Sequence, residues 1–216
     1  MFIIENAVIS AAGIGSRLGL GIPKCLVEIG GKSLIAHQID ALSEVKNLRI
    51  VVGFREEAVI EEVLRYRRDA VFVRNPNFAS TGNCASLYLA SRDIKEKFLT
   101  IDGDLLFYKH DFHNFVANLG DKEVVVLTPT ATEEAISVEL TEKGDQIASF
   151  RAGAVFDLEW SGIGYISNLG LAVYQNQFIY KFLETKLPLN YYQMKVFEID
   201  TPADYYNVLS TFRPES

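Results

Sequence analysis

The sequence predicts an α/β fold: a mostly parallel, mixed sheet flanked by helices on both faces, with a small β-hairpin insertion in the second half. Three observations carry this expectation. Short apolar runs alternate with helix-patterned segments through the first two thirds of the chain. A glycine-rich stretch, AAGIGSRLGLGIPK (11–24), follows directly behind the first run. After about residue 130 the alternation gives way to paired strand signals.

In chain order, AVISAA (7–12), LRIVVG (48–53), AVFV (70–73), FLTID (98–102) and EVVVLT (123–128) read as buried strands. Each is a short aliphatic or β-branched run closed by polar, Gly or Pro residues. Ser33 is placed to cap a helix that carries Leu34, Ile35, Ile39 and Leu42 on one face. EEAVIEEVLRY puts Val59, Val63 and Tyr66 on one side of a second helix. Strand, helix, strand in repetition implies parallel pairing with right-handed crossovers. Further on, ISVEL and QIASFR flank EKGD as a hairpin, and YISNLGLAVY reads as another strand. VFEIDTPADYYNVL ends the pattern as a short strand and a helix, with Thr201 as N-cap, Pro202 at its first position and Asp204 near the capping-box position.

With 216 residues, 49% of them hydrophobic, the chain can bury a full core without disulfides or a structural metal. One domain spanning 1–216 is the expectation. A net charge of −7 with no basic cluster beyond RYRR (65–68), read as a solvated helix end, excludes a surface built for nucleic acid. Cys25 and Cys84 lie far apart with no CxxC, which fits a reducing cytosol. MFIIEN lacks the positive n-region of a secretory signal, and no apolar run approaches the roughly 18 residues of a membrane span. The chain therefore reads as cytoplasmic, with no membrane insertion. His37, His110 and His113 read as structural or solvated.

Several readings compete for the glycine loop. A dinucleotide fingerprint needs a small residue where Leu18 stands, and a Walker A ending at GGKS (30–33) would need glycine at Leu26. A plain surface turn with two solvated cations is a further reading. The remaining one is a triphosphate cradle. In it Gly13 and Gly15 allow backbone N–H groups to turn toward phosphate oxygens. Arg17 adds a forked contact and Lys24 a mobile point charge, with Pro23 fixing the backbone before it.

AAGxGxR, a spacer, PK and an apolar run ending in GGKSLI together resemble the nucleotidyltransferases of the GT-A-like Rossmann class. NPNFASTGNCASLYLA (75–90), IDGDLLF (101–107) and FEIDTPADY (197–205) recur in the same order in phosphocholine cytidylyltransferase-like members. The resemblance implies transfer of a nucleoside monophosphate from an NTP, CTP favoured, to a small phosphorylated acceptor, with pyrophosphate released. It places the backbone of Ala11, Ala12 and Gly13 and the side chains of Asn83 and Ser86 near the nucleotide. For Asn83 the competing role is helix capping, which suits Ser80 and Thr81 better.

Asp102 and Asp104 close the FLTID strand, and Glu198 and Asp200 repeat the spacing on the last one. The i, i+2 interval turns each pair to one side of an extended chain, so four carboxylates would repel one another without a cation. Mg²⁺ answers that, since it takes one or two carboxylates together with substrate phosphates. The resemblance favours Asp104 and Asp200 as ligands. Asp102 and Glu198 are left between ligand, nucleotide contact and hydrogen-bonding support. For the acceptor, Arg151 in SFRAG is a candidate phosphate contact or a solvated strand end, and Trp160, Tyr165, Tyr191 and Tyr192 are available aromatics. Two alternatives stay open: a sugar-1-phosphate nucleotidyltransferase using UTP or dTTP, and a nucleotide-binding regulatory module without turnover.

Overall fold

The computed structural model describes residues 4–131, 135–154 and 156–213; residues 1–3 of the MFIIEN stretch lie outside it. The chain begins with β1 (Asn6–Ser10), the short hairpin β2 (Glu28–Ile29) and β3 (Lys32–Ser33), α1 (Leu34–Ala41) and β4 (Asn47–Val52). It continues through α2 (Glu56–Tyr66), β5 (Val71–Arg74), α3 (Asn83–Ser91), β6 (Phe98–Asp102), β7 (Leu105–Phe107) and α4 (Lys109–Ala117). Then come β8 (Val124–Pro129), β9 (Ile136–Leu140), β10 (Ile147–Ala152), β11 (Leu158–Ile166), α5 (Ile179–Leu183), β12 (Asn190–Gln193), β13 (Val196–Glu198) and α6 (Pro202–Thr211).

Nine strands form one sheet in the order β10-β9-β11-β6-β1-β4-β5, with β8 joined to β11 and β12 to β8. The β6-β1-β4-β5 half is parallel, Val8 standing level with Arg49 on one side and Thr100 on the other. β11 pairs antiparallel with β6, β8 and β9, β12 returns parallel to β8, and β9–β10 is the expected hairpin. Side-chain alternation along β1 feeds two cores. Ala7 and Ile9 face the layer holding Ile35, Val59 and Phe112 of α1, α2 and α4, whereas Val8 faces Leu87 of α3 and Phe182 of α5. Helices thus cover both faces, as the near-continuous apolar strands require. Phe112 and Phe115, about five-sixths of a turn apart on α4, are fully buried, and each burial contributes roughly 1.5–3 kcal/mol.

Local signals account for the boundaries. Ser33 Oγ accepts from the Ala36 N–H at 3.3 Å and starts α1. Thr201 and Asp204 form a reciprocal capping box at the head of α6.

Five expectations need correction. AVFV, read as a buried strand, is the edge strand β5, with Val71 exposed and Phe72 and Val73 only half-buried. The strand read at YISNLGLAVY lies earlier, in LEWSGIGYI, because Gly170 turns left-handed (φ 87°) and Leu171–Tyr174 winds into a 3₁₀ turn. Tyr66 is exposed rather than core, lying under the Lys32 ammonium at 5.9 Å. Neither Ser80 nor Thr81 caps α3, whose N-cap is Gly82; the Thr81 hydroxyl instead donates to the Asn77 carbonyl at 2.9 Å. Arg67 of RYRR is not solvated: its guanidinium donates to the carbonyls of Leu42, Val45 and Lys46 and ties α2 to the preceding turn. Among the described residues, no helix is long and apolar enough to cross a membrane.

Candidate active site

A cavity of about 670 Å³ opens at the carboxyl ends of β1 and β6, where ligands bind in open α/β sheets. The loop after β1 forms its floor. Leu18, the residue too large for a dinucleotide motif, is 3% exposed and anchors this loop in a third apolar cluster with Val27, Leu34 and Phe197. Pro23 (φ −54°) leads into a 3₁₀ turn that begins at Lys24. The Lys24 stem then passes against Gly15, whose φ of 64° and close approach both require glycine: a Cβ there would stand 2.5 Å from Lys24 Cγ.

Lys24 Nζ donates to Asp104 Oδ2 at 2.8 Å and also pairs with Asp200, which is itself paired with Arg17. Residues almost a hundred positions apart meet here through one register. β7 and β13 run antiparallel with Leu105 opposite Glu198, and the Ile199 N–H donates to the Asp104 carbonyl at 3.0 Å. The step before β7 and the step after β13 therefore share one end of the ribbon.

Asp104, Glu198 and Asp200 each offer a carboxylate oxygen, and the three atoms lie within 4.8 Å of one another. Hard, anionic oxygen donors in this number suit Mg²⁺, which is bound by one or two carboxylates plus phosphate oxygens. The electrostatics is one of crowding. Burial alone would lower the Lys24 pKa, but the Asp104 and Asp200 carboxylates outweigh it and hold the ammonium above its ordinary value. Burial, and then the charges of Asp104 and Glu198, push Asp102 well above the usual carboxylate range. Glu198 is raised to about 7 by packing around its carboxyl and by the Asp104 charge, although one side of the residue meets solvent.

Every residue proposed from sequence for the nucleotide lines this cavity: Ala11, Ala12, Gly13, Gly15, Arg17, Lys24, Asn83, Ser86 and Asp102. A Cβ on Gly13 would meet nothing within 4 Å, so open space lies above that peptide. Ser86 Oγ accepts from Asn75 Nδ2 at 3.0 Å. Asn83 has a second task that the sequence hides: its Oδ1 accepts from the Ile179 N–H at 2.9 Å, pinning the start of α5. Gly82 beside it allows that approach, since any Cβ would collide with the Gln177 carbonyl.

The acceptor candidates divide. Trp160 lines the cavity. Tyr165 is buried in the core, Tyr192 packs on Phe115 with ring centroids 5.4 Å apart, and the Tyr191 hydroxyl donates to the Gly144 carbonyl at 2.8 Å; none of the three lines it. Arg151 is likewise corrected. It is exposed on β10, pairs with Glu139 at 3.3 Å and leaves the cavity wall to its neighbour Ala152. Sequence reasoning missed Glu159, Phe78, Phe178 and Tyr180, which also line the cavity. A charged residue within the otherwise apolar LEWSGIGYI strand was the one available signal, for Glu159. Both cysteines are free and buried, and no histidine lines the cavity.

Comparison with known proteins agrees with this fold. The bifunctional protein GlmU of Neisseria gonorrhoeae is 30% identical over 132 residues, covering 60% of this chain and 28% of that protein. The bifunctional IPC transferase and DIPP synthase of Thermococcus kodakarensis is 36% identical over 111 residues, 50% of this chain and 25% of that one. The chain spans about a quarter of the length of these curated relatives. Among solved structures, the CTP:phosphocholine cytidylyltransferase of Streptococcus pneumoniae superposes with a TM-score of 0.79 at 21% identity, over 98% of this chain and 100% of that one. The inositol-1-phosphate CTP transferase from T. maritima gives 0.75 at 19% identity, over 97% and 96%. These likenesses share the fold. The profile of the MobA-like NTP transferase domain matches residues 7–161, well over half of the sequence, and the chain therefore belongs to that family.

Proposed function

We propose that the protein is a nucleotidyltransferase that moves a nucleoside monophosphate from an NTP, CTP favoured, onto a small phosphorylated acceptor and releases pyrophosphate. The observation that carries this reading is the Lys24 ammonium spanning Asp104 and Asp200 directly beside the Gly13–Gly15 loop. One cavity thus offers a phosphate cradle, two cations and a carboxylate cluster. The whole chain acts as one unit in this reading, because the cluster draws on both its middle and its end.

A phosphate monoester has a second pKa near 6, so the acceptor arrives as a dianionic nucleophile and no general base is needed. The task left to the protein is alignment and charge stabilisation. Backbone N–H groups of the loop would hold the β- and γ-phosphates, and Arg17 would clamp an oxygen in forked geometry. Lys24 would follow the charge that builds on the α-phosphate and the leaving pyrophosphate. Asp104 and Asp200, with Glu198 beside them, would hold Mg²⁺, which when bound supplies positive charge at the reacting phosphates. Asp102, which lines the same cavity, would meet the nucleotide as a hydrogen-bonding group. Free, buried cysteines suit a reducing cytosol.

The test is a panel assay of purified protein with Mg²⁺, each NTP and a set of phosphorylated acceptors, read as pyrophosphate release. CTP with a phospho-alcohol should give the highest kcat/KM. UTP or dTTP with a sugar 1-phosphate leading instead would move the assignment to a sugar-phosphate enzyme. Nucleotide binding without release under every condition would leave a regulatory module.

A further inference from the structure

α1 carries one residue that its apolar pattern does not explain. Leu34, Ile35, Ile39 and Leu42 pack into hydrophobic clusters, yet Gln38 among them is 1% exposed. A buried amide costs free energy for each polar atom left without a hydrogen bond, and the Gln38 Oε1 has no partner among the described residues. Its Nε2 is used twice. It donates to the Asp102 carbonyl at 3.0 Å and to the Leu105 carbonyl at 2.8 Å. Turning the amide over would set Oε1 against two carbonyl oxygens, so these acceptors fix its orientation.

The two acceptors are the ends of the turn that carries Asp104. Its other backbone groups are held as well: the Gly103 N–H donates to the Ser10 carbonyl at 2.9 Å, and the Asp104 carbonyl accepts from the Ile199 N–H at 3.0 Å. A Cβ on Gly103 would stand 2.8 Å from the Ser10 carbonyl oxygen, which shows how closely the turn lies on β1. The same helix also holds the lysine. The Leu34 N–H at its start donates to the Val27 carbonyl at 2.9 Å, and the Val27 N–H donates to the Lys24 carbonyl at 2.9 Å. α1 thus grips the backbone of both members of the Lys24–Asp104 pair, whose charged atoms meet at 2.8 Å. Gln38 itself does not line the cavity. From this juxtaposition we propose that Gln38 is a positioning residue for the reaction: its amide fixes the Asp102–Leu105 turn and, through it, holds the Asp104 carboxylate against Lys24 and the cation. The inference rests on the nucleotidyl-transfer reading and adds a residue to its machinery.

The experiment compares the native protein with Gln38→Met, which keeps the length of the side chain and removes the donor. Val63→Ala is the packing control, because Val63 is buried on α2 and has no hydrogen bond to the turn. Each protein is followed by thermal unfolding, by kcat and KM from pyrophosphate release, and by Mn²⁺ affinity from the free-ion EPR signal with a non-hydrolysable CTP analogue present. Loss of the support behind a metal-binding carboxylate typically costs about 10- to 100-fold in metal affinity or activity. Gln38→Met should therefore bind Mn²⁺ about 10-fold more weakly and lose about 10- to 100-fold in kcat, with KM for CTP within about 3-fold of native. Val63→Ala should lower Tm through the cavity it leaves, with Mn²⁺ affinity and kcat within about 3-fold of native. Native Mn²⁺ affinity and kcat in a folded Gln38→Met variant overturn the proposal. Equal losses in Gln38→Met and Val63→Ala overturn it too, since they would reduce Gln38 to a packing role. If Gln38→Met does not fold, the native protein decides: the Gln38 side-chain amide protons should resist solvent exchange, and their NMR signals should shift when Mg²⁺ and the CTP analogue are added. Free exchange without a shift overturns the proposal. No release from any acceptor, with Mn²⁺ binding still weakened in Gln38→Met, would remove the transfer reading and keep Gln38 as the support of the cation site. Release by the native protein, with the two variants alike, would do the reverse.

Discussion

Replacing Gly15 by alanine tests whether the loop sets the position of Lys24, and Gly19→Ala is its matched control. Both glycines are left-handed, with φ of 64° and 73°, so an alanine pays about 1–2 kcal/mol of backbone strain at either site. For a chain of this size that strain alone lowers Tm by roughly 2–8 °C in both variants. The difference lies in what the new methyl meets. At Gly19 it finds nothing within 4 Å, whereas at Gly15 it stands 2.5 Å from Lys24 Cγ, an atom too near the backbone to swing aside freely. Ordinary contact begins about an ångström further out, so the lysine stem must shift by about that much and carry its ammonium away from Asp104 and Asp200. Misplacing a catalytic group by about 1 Å costs on the order of 100-fold in rate. The assay is kcat from pyrophosphate release beside thermal unfolding for both variants. A Tm loss in both variants, larger in Gly15→Ala because Lys24 is also drawn away from its carboxylates, with a roughly 100-fold lower kcat in Gly15→Ala alone, is the expected result. If the two variants turn over within about 3-fold of each other, the lysine is not positioned by the loop and the reasoning fails.

Three further outcomes follow from the same contacts. Asp200→Asn should reduce turnover to below about 1%, and should also lower Tm, because Lys24 and Arg17 both lose a partner; a raised Tm would mean that carboxylate repulsion dominates the cluster. Asn83→Ala should cost about 1–2 kcal/mol in denaturant unfolding and speed amide exchange at Ile179, whose N–H it frees; unchanged exchange would remove its pinning role. Glu123 is partly buried, which would raise its pKa, yet the Lys186 ammonium at 2.8 Å and Ser167 outweigh this and hold it below its ordinary 4.5. Its stabilisation is therefore present above pH 4.5 and disappears as pH falls through the lower folded value, so Glu123→Gln should flatten the acid limb of stability against pH below 4.5.

Much of this architecture is legible in local signals. The β1 to β6 alternation, Ser33, and the Thr201–Asp204 box speak through period and capping, which depend on neighbours in the chain. The YISNLGLAVY strand was displaced because apolar residues persist past Ile166 in Leu169, Leu171 and Val173, whereas the strand stops at Ile166, the Ser167 N–H turns to Glu123, and Gly170 leads into the 3₁₀ segment. Acidic spacing marked Asp102, Asp104, Glu198 and Asp200 alike and the family resemblance favoured Asp104 and Asp200, but the placing of Lys24 between those two depends on a register no local pattern reports. Glu159 and the Asn83–Ile179 contact were hidden for the same reason: each acquires meaning from a segment brought up by the fold.

The β7–β13 ribbon has a consequence for how the protein is made. The MobA-like match ends at residue 161, yet Glu198 and Asp200 arrive on the strand and turn after it, held against β7 by three residue pairs. During synthesis the glycine loop, the parallel half of the sheet and Asp104 all leave the ribosome well before the ribbon can close. A nascent chain thus carries an incomplete carboxylate cluster, with Lys24 bound to Asp104 alone. The carboxylate cluster is thus complete only once the β13 segment has been made and has folded back onto β7.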